Sequence, residues 1–440
     1  MNVAAGLPTR GGLNHLERKI LFTLAFLAIY RIGVHIPIPG VDTVALEEFF
    51  RQQGGNLLGM FNMFSGGALE RFSVFALGVM PYISASIISQ LLTVVVPHLE
   101  ALSKEGDAGR KKISQYTRYG TIVLALIQGY MISNTLEGSN FLGSSLVLTG
   151  GMGWKLSTTI SLTAGTAFVM WLGEQITAKG VGNGISLIIF AGIVAGLPGL
   201  VGSTYEQYTS EQMDLFRIII ILFVVVAVVS GVVYVEQAAR QIPVQYAKRQ
   251  VGRRVYGGQN THLPVRVNPA GVIPPIFASS MLQFPITMGA LYPNSVMGDF
   301  LNSVFSPGGW LYNSVYVSLI VFFTFFYTSI TFKSDDIAEN LRKFGGFVPG
   351  IRPGGRTADY INKVVTRLVL WGSVYLSAVC VLPIVLTGRF NIQFFFGGTS
   401  LLIVVGVALD TFRQIESQRQ SLRYDAFLKK NPIRTRGGRL

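Results

Sequence analysis

The thirteen residues GVMPYISASIISQ at 78–90 return at 271–283 as GVIPPIFASSMLQ, seven of them identical at a constant offset of 193. Both copies sit in apolar runs long enough to cross a bilayer. Both also carry hydroxyls and an amide where a lipid-facing helix carries Leu and Val. A chain that duplicates a polar membrane span is confined to internally repeated helical bundles. Such a span is what a pathway or a gate through the bundle requires.

The hydrocarbon core is about 30 Å thick and needs roughly 20 apolar residues per helical crossing. That ruler predicts ten spans, at 19–36, 72–97, 117–136, 155–173, 184–202, 215–235, 270–291, 312–332, 368–387 and 397–412. Half of the 440 residues are hydrophobic, only 13% are charged and the mean hydropathy is +0.47, which excludes a water-soluble globule. The expected fold is an all-α polytopic membrane protein, one bundle without a soluble appendage. Cys380, the only cysteine, lies inside an apolar span, so no disulfide framework is available.

The net charge of +14 is unevenly placed. Roughly thirty of the 36 Lys and Arg fall in the two tails and in the loops after spans 2, 4, 6 and 8. The alternating loops hold few basic residues and several acids (Asp42, Glu47, Glu48, Glu137, Glu206, Glu211, Asp214). The positive-inside rule then predicts that both termini are cytosolic. The first run has basic flanks (Arg18, Lys19) and no small-residue cleavage site, so it reads as a retained span.

Ten spans divide into two halves of five, and an odd number of crossings reverses direction. A five-span repeat is therefore inverted, about a pseudo-two-fold axis in the membrane plane. The long repeat pairs span 2 with span 7, and GISLII at 184–189 pairs with GTSLLI at 398–403, span 5 with span 10. The blander alternative is coincidence between Ile- and Ser-rich helices. The predicted organisation is an N-terminal tail (1–18), a first half (19–202), a second half (203–412) with cytosolic loops 236–268 and 333–367, and a C-terminal tail (413–440).

Nucleotide and hydrolase motifs are absent: no G-x-x-x-x-G-K-[ST], no H-E-x-x-H and no G-x-S-x-G. The four His residues are scattered without metal spacing. No Asp or Glu occupies a predicted mid-bilayer position, since Glu174, Glu236 and Asp410 sit at cytosolic span ends, which argues against an ion-coupled carrier. No catalytic, metal or cofactor residue is expected. A conduit remains, with an inverted-repeat transporter of a small solute as the alternative. Ser84, Ser86, Ser89 and Gln90 on span 2 and Ser279, Ser280 and Gln283 on span 7 form either simple close packing or a seam that can part. Ile83 aligns with Ile276 and Ile189 with Ile403, a set that suits plain core or an aliphatic constriction. GNLLGMFNMFSGGALE at 55–70 reads as a re-entrant segment or an amphipathic surface loop. The basic loops read as topology signals touching anionic lipid, or as docking surfaces for an acidic or polyanionic partner.

Long stretches carry a specific resemblance. RIGVHIPIPGVD, MFNMFSGGALERFSVFALGVMPYISASIISQLL, GDAGRKKISQYTRYGT, WLGEQITAKGVGNGISLIIFAGIVAGLP, YAKRQVGRRVYGGQNTHLPVRVNPAGVIPPIFASS, FVPGIRPGGRTADYI and FGGTSLLIVVGVALD resemble the bacterial SecY family from span 1 through span 10. The resemblance implies a protein-conducting channel in the bacterial inner membrane that passes unfolded polypeptides and releases apolar segments sideways into lipid. It implies ten transmembrane helices in two inverted halves around a central pore, and a pore ring of Val79, Ile83, Ile185, Ile189, Ile276 and Ile403. It implies a lateral gate between spans 2 and 7, with Ser84, Ser86, Gln90, Ser279, Ser280 and Gln283, and a plug near 57–68 that includes Phe61, Asn62, Met63, Phe64, Ser65, Gly66 and Gly67. Lys248, Arg249, Arg253, Arg254, Arg352 and Arg356 would dock the SecA motor ATPase and the ribosome through its RNA. SecE and SecG subunits, signal peptides, client polypeptides and membrane lipids are the other implied partners.

Overall fold

The computed structural model describes residues 10–52, 62, 65–138, 140–141, 144–148, 150–210, 214–246, 249–251, 254–256, 260–291, 296, 300, 304, 309–390 and 398–430. These divide into two units, Met1–Gly199 with Val407–Leu440, and Leu200–Gly406.

The first unit holds α1 (Arg10–Gly33), α2 (Thr43–Gln52), α3 (Met80–Val95), α4 (Pro97–Lys104), α5 (Asp107–Gly138), α6 (Met152–Lys179) and most of α7 (Gly184–Thr209). The span predicted at 72–97 is shorter at its start than expected: its helix begins at Met80, and the chain before it is turned. It ends at Val96, whose extended φ of −97° and ψ of 113° is what a following proline imposes. Pro97 then opens α4 at 98° to α3. Helices α5 and α6 pack along small residues: Thr117, Thr121, Ala125, Gly129 and Ser133 recur every fourth position and are all buried. A β-carbon on Gly129 would meet Thr159 backbone at 3.5 Å, so the helices approach closely there. Several threonine hydroxyls donate to carbonyls of their own helix, Thr121 to Thr117 at 2.8 Å and Thr163 to Thr159 at 2.8 Å, whereas the buried Thr158 and Thr166 hydroxyls have no hydrogen-bond partner among the described residues. At the far end, the Glu137 carboxylate pairs with Lys155 Nζ at 2.7 Å and accepts the Gly151 N–H at 2.7 Å. The Lys155 hydrogen bond, ahead of the opposing effect of desolvation, holds the Glu137 carboxyl below the usual carboxylate range.

The second unit holds α8 (Leu215–Gln237), α9 (Ile273–Leu291), α10 (Trp310–Thr331), α11 (Ser334–Lys343), α12 (Gly355–Phe390) and the start of α13 (Gly398–Lys430). Helix α10 packs on α12 and on α9, where Phe277 meets Phe323 edge to face at a centroid distance of 5.7 Å. A β-carbon on Gly398 would clash with the Val379 carbonyl oxygen, so only glycine lets α13 start against α12.

Six helices among the described residues are long and apolar enough to cross a membrane, with the bent α3–α4 pair as a seventh candidate. Each of the ten predicted spans overlaps its own helix. The basic loops depart from the all-helical expectation. Beyond the two-residue pair β1 (Asn140–Phe141) and β2 (Ser144–Ser145), they contain β3 (Ala239–Tyr246), β4 (Arg249–Val251), β5 (Arg254–Tyr256), β6 (Asn260–Arg266) and β7 (Gly346–Phe347). β3 pairs antiparallel with β6 and β7, in the order β6-β3-β7, while β4 pairs with β5. The cause is local alternation: in ARQIPVQY, Ile242 and Val244 are buried while their neighbours are not, a period of two that excludes a helix. Ile242 and Val265 pack with Val348, Ile361, Val365 and Val369, which seats the sheet on the first half of α12.

Candidate functional site

The chain between Gly66 and Val79 turns repeatedly inside a helical unit. Gly66, Gly67 and Gly78 have φ of +70°, +84° and +55°, and Phe72, wholly buried, stands at φ +43°. A bulky residue held in the left-handed region stores strain of about 1–3 kcal/mol and persists only where its surroundings over-determine it. They do so here. Phe72 carbonyl oxygen accepts the Ile38 N–H at 2.9 Å, and Val74 N–H donates to Ile36 at 3.0 Å, binding the segment to the chain that leaves α1. Phe75 stacks on Tyr30 (6.0 Å) and Phe168 (5.9 Å), and its ring fills the place a β-carbon on Gly33 would take. Gly165 of α6 likewise admits the Val74 carbonyl.

Of the predicted plug residues, Asn62, Ser65, Gly66 and Gly67 are described; Phe61, Met63 and Phe64 lie outside the described residues. Asn62 folds the segment on itself: its Nδ2 donates to Glu70 Oε2 at 2.7 Å, its Oδ1 accepts the Glu70 N–H at 3.0 Å and its carbonyl accepts the Gly67 N–H at 2.9 Å. Two side chains of α1 then grip the backbone. Tyr30 hydroxyl donates to the Ser65 carbonyl at 3.0 Å, and Arg31 donates to the Gly66 carbonyl at 2.5 Å. A β-carbon on Gly66 would stand 2.8 Å from Gly192 Cα on α7, so the segment lies on α7 backbone to backbone. Tyr30, Arg31 and Gly192 are absent from the sequence prediction. A lone Arg at the end of an apolar run is the one signal that points to them.

Tyr30→Phe removes one hydrogen bond to a buried carbonyl, a loss of about 1 kcal/mol. It is expected to raise resting ion conductance in planar bilayers about two- to fivefold with helix content unchanged, read by single-channel recording and circular dichroism.

The predicted ring residues are placed as follows. Val79 caps the start of α3 and is buried, as are Ile83, Ile189 and Ile403; Ile185 and Ile276 are half-buried. Ile185 Cγ1 lies 2.9 Å from where a β-carbon on Gly173 would be, so this side chain rests on α6. Among the residues predicted for the gate, Ser84, Ser86 and Gln90 are half-buried on α3, with Gln90 Nε2 donating to Ser86 Oγ at 3.2 Å. On α9, Ser279 donates to the Ile276 carbonyl at 2.9 Å, and Ser280 Oγ is buried with no hydrogen-bond partner among the described residues. Gln283 continues the α9 backbone, and its side chain is outside the described set.

The strands of the two basic loops form a three-stranded sheet, β6-β3-β7, and a separate hairpin, β4-β5. Arg249 and Arg254 occupy β4 and β5, with Val251 opposite Arg254 in the register; Lys248 and Arg253 are outside the described residues. β7, which leads to Arg352, pairs with the same β3, Gln245 opposite Phe347. Two loops 100 residues apart in sequence therefore build one platform. Arg352 and Arg356 are exposed on a turn set by Gly350 (φ +80°) and Gly354 (φ +106°), and Thr357 Oγ1 donates to the Arg352 carbonyl at 2.9 Å. Among the described residues no group of His, Cys, Asp and Glu could hold a metal ion.

The family model described as SecY matches residues 73–412. The chain is 49% identical over 431 residues to the protein translocase subunit SecY of Escherichia coli strain K12, covering 97% of each. Against the subunit of the same name from Aquifex aeolicus it is 46% identical over 423 residues, 95% of this chain and 98% of that one. Among solved structures, a protein-conducting channel aligns with a TM-score of 0.68 at 16% identity, over 99% of this chain and 97% of the other. Sec61 in a canine ribosome–channel complex aligns with a TM-score of 0.64 at 15% identity, with the same coverage.

Proposed function

The chain belongs to the SecY family, and from that premise we propose how its residues serve a channel that moves polypeptides across a membrane. The single observation that carries the channel function is 49% identity over 97% of both chains to a translocase subunit. It is a multi-pass membrane protein, and translocation of unfolded secretory chains is its activity. The small-solute carrier is not favoured.

The finer reading is our own. Segment 57–68 is the plug, supported by the Tyr30 and Arg31 grip and by the glycine contact at Gly66. Val79, Ile83, Ile185, Ile189, Ile276 and Ile403 form the aliphatic constriction, and α3 and α9 form the lateral gate, both supported by the internal repeat. Branched aliphatic side chains exclude ions by dewetting and still yield to a passing chain. The platform of Arg249, Arg254, Arg352 and Arg356 docks the motor ATPase and ribosomal RNA, and SecE- and SecG-like subunits complete the assembly. The chain itself performs no catalysis and sits in the bacterial inner membrane with both termini cytosolic, as the charge asymmetry supports.

Reconstitution into proteoliposomes with the partner subunits, the motor and ATP tests this reading. Protease protection of a secretory precursor is the expected result. Saturable uptake of a small solute without precursor protection would overturn it.

A further inference from the structure

Helix α9, the second copy of the repeat, begins beside a buried polar pair that the reading above does not use. β3 and β6 run antiparallel down to Ala239 opposite Arg266, and the ladder gains one more rung where Val267 N–H donates to the Ala238 carbonyl at 3.0 Å. The next rung is made by side chains. Asn268 Nδ2 donates to Glu236 Oε1 on the last turn of α8 at 2.7 Å, and to the Gly271 carbonyl at 3.0 Å. Both residues are buried, and Asn268 Oδ1 has no hydrogen-bond partner among the described residues.

The geometry sets the first turn of α9. Residues 268–272 form the turn into the helix, Gly271 holds φ +62°, and α9 starts at Ile273. One amide thus ties three things: the end of α8, the base of the β3–β6 hairpin and the turn that aims α9. Gly372 of α12 makes room for it, since a β-carbon there would meet the Val267 carbonyl at 3.2 Å and Asn268 Oδ1 at 3.8 Å. A buried carboxylate–amide bond is shorter and stronger than a neutral one, and its rupture unties the turn before α9 from the end of α8. Helices joined by small side chains and weak hydrogen bonds have no comparable anchor of their own.

We propose that Glu236 and Asn268 are positioning residues for α9, which hold the gate helix at the angle that keeps the resting channel closed to ions and to chains without a signal segment. The proposal rests on the channel reading and on α9 as a gate helix. Loss of the rung frees the first turn of α9, and the population shifts toward open arrangements.

The test uses the full chain with its partner subunits in proteoliposomes and planar bilayers, comparing wild type with Asn268→Ala, Glu236→Gln and Gly271→Ala. For Asn268→Ala, resting conductance and passage of a precursor stripped of its signal segment are expected to rise about fivefold, the lower end of typical couplings between sites. Chain level and transport of the intact precursor should stay within about twofold of wild type on the same scale. Glu236→Gln keeps an oxygen that accepts from Asn268 but makes the bond neutral, so its leak should fall between wild type and Asn268→Ala. Gly271→Ala fits sterically, with nothing within 4 Å of the added carbon, but strains the turn, so it should reproduce the leak and decides the matter if Asn268→Ala does not accumulate. Unchanged selectivity in both leaking candidates overturns the proposal, as does a parallel fall in level, intact transport and leak, which marks a simple strut. Failure of the wild-type chain to move the intact precursor overturns the channel reading instead.

Discussion

Gly66→Ala will open the resting channel, whereas Gly67→Ala, one residue on, will leave it largely sealed. Both glycines are left-handed, at φ +70° and +84°, so each substitution costs about 1–2 kcal/mol in backbone strain alone. Their surroundings differ. The new carbon at 66 would lie 2.8 Å from Gly192 Cα and 3.2 Å from an Arg31 nitrogen, while the carbon at 67 meets nothing within 4 Å. Backbone cannot rotate away as a flexible side chain can, so the clash adds about 1–3 kcal/mol of overpacking at 66 only. Against this stand the two α1 hydrogen bonds, from Tyr30 to Ser65 and from Arg31 to Gly66, worth about 0.5–1.5 and 1.5–3 kcal/mol. At Gly67 the strain is smaller than the grip, and at Gly66 strain and clash together equal or exceed it. Resting conductance should therefore rise at least tenfold for Gly66→Ala, since about 1.4 kcal/mol is a factor of ten, and only about as much as for Tyr30→Phe in Gly67→Ala. Equal conductance in the two variants would mean that residue 66 does not seal by lying on α7.

Bilayer-scale hydropathy is a property of long windows, and for that reason the apolar helices are legible in the residues alone, six of them among the described residues long and apolar enough to cross a membrane. Each predicted span overlaps a helix, although α12 begins at Gly355 and not near 368, because its first turns are amphipathic and carry Arg356, Asp359 and Lys363. Short-range geometry is less legible. FSVFALGV at 72–79 is as apolar as any helix, and a buried turn and a buried helix share that composition. Its breakers are the glycines at 66, 67 and 78, while the left-handed Phe72 has no sequence signature at all. Tyr30 and Arg31 escape for another reason: their partners are backbone carbonyls 35 residues away, and a carbonyl looks the same under every side chain. The alternation in QIPVQY was available and does predict a strand; a proline within it and a basic setting disguise it as a loop. The pairing of β7 with β3 and the packing of Ile242 and Val265 on Val348 join the two basic loops, and contacts at that separation cannot be read from one chain.

That junction sets the size of the second effect. Arg352→Glu is expected to cut motor-driven translocation about thirtyfold, the consequence of losing about 2 kcal/mol at a binding hot spot. Charge reversal changes the local charge by two units, and Arg352 stands with Arg356 on one exposed turn, so an acidic face on the partner is converted from attracted to repelled at one point. The turn that carries it should survive. Gly350 and Gly354 supply its left-handed corners, Thr357 Oγ1 binds the Arg352 carbonyl and not its side chain, and residue 352 is exposed. Chain level in membranes and resting conductance should accordingly match wild type, because the Tyr30 and Arg31 hydrogen bonds and α9 are untouched. The loss should deepen at low salt, where the new repulsion is less screened, and shrink at high salt. Arg352→Lys keeps the charge without the planar fork and should fall between the two. Wild-type rates in Arg352→Glu would reduce this arginine to a topology signal. Reduced chain level alongside reduced rate would instead assign it to holding the turn beneath β7.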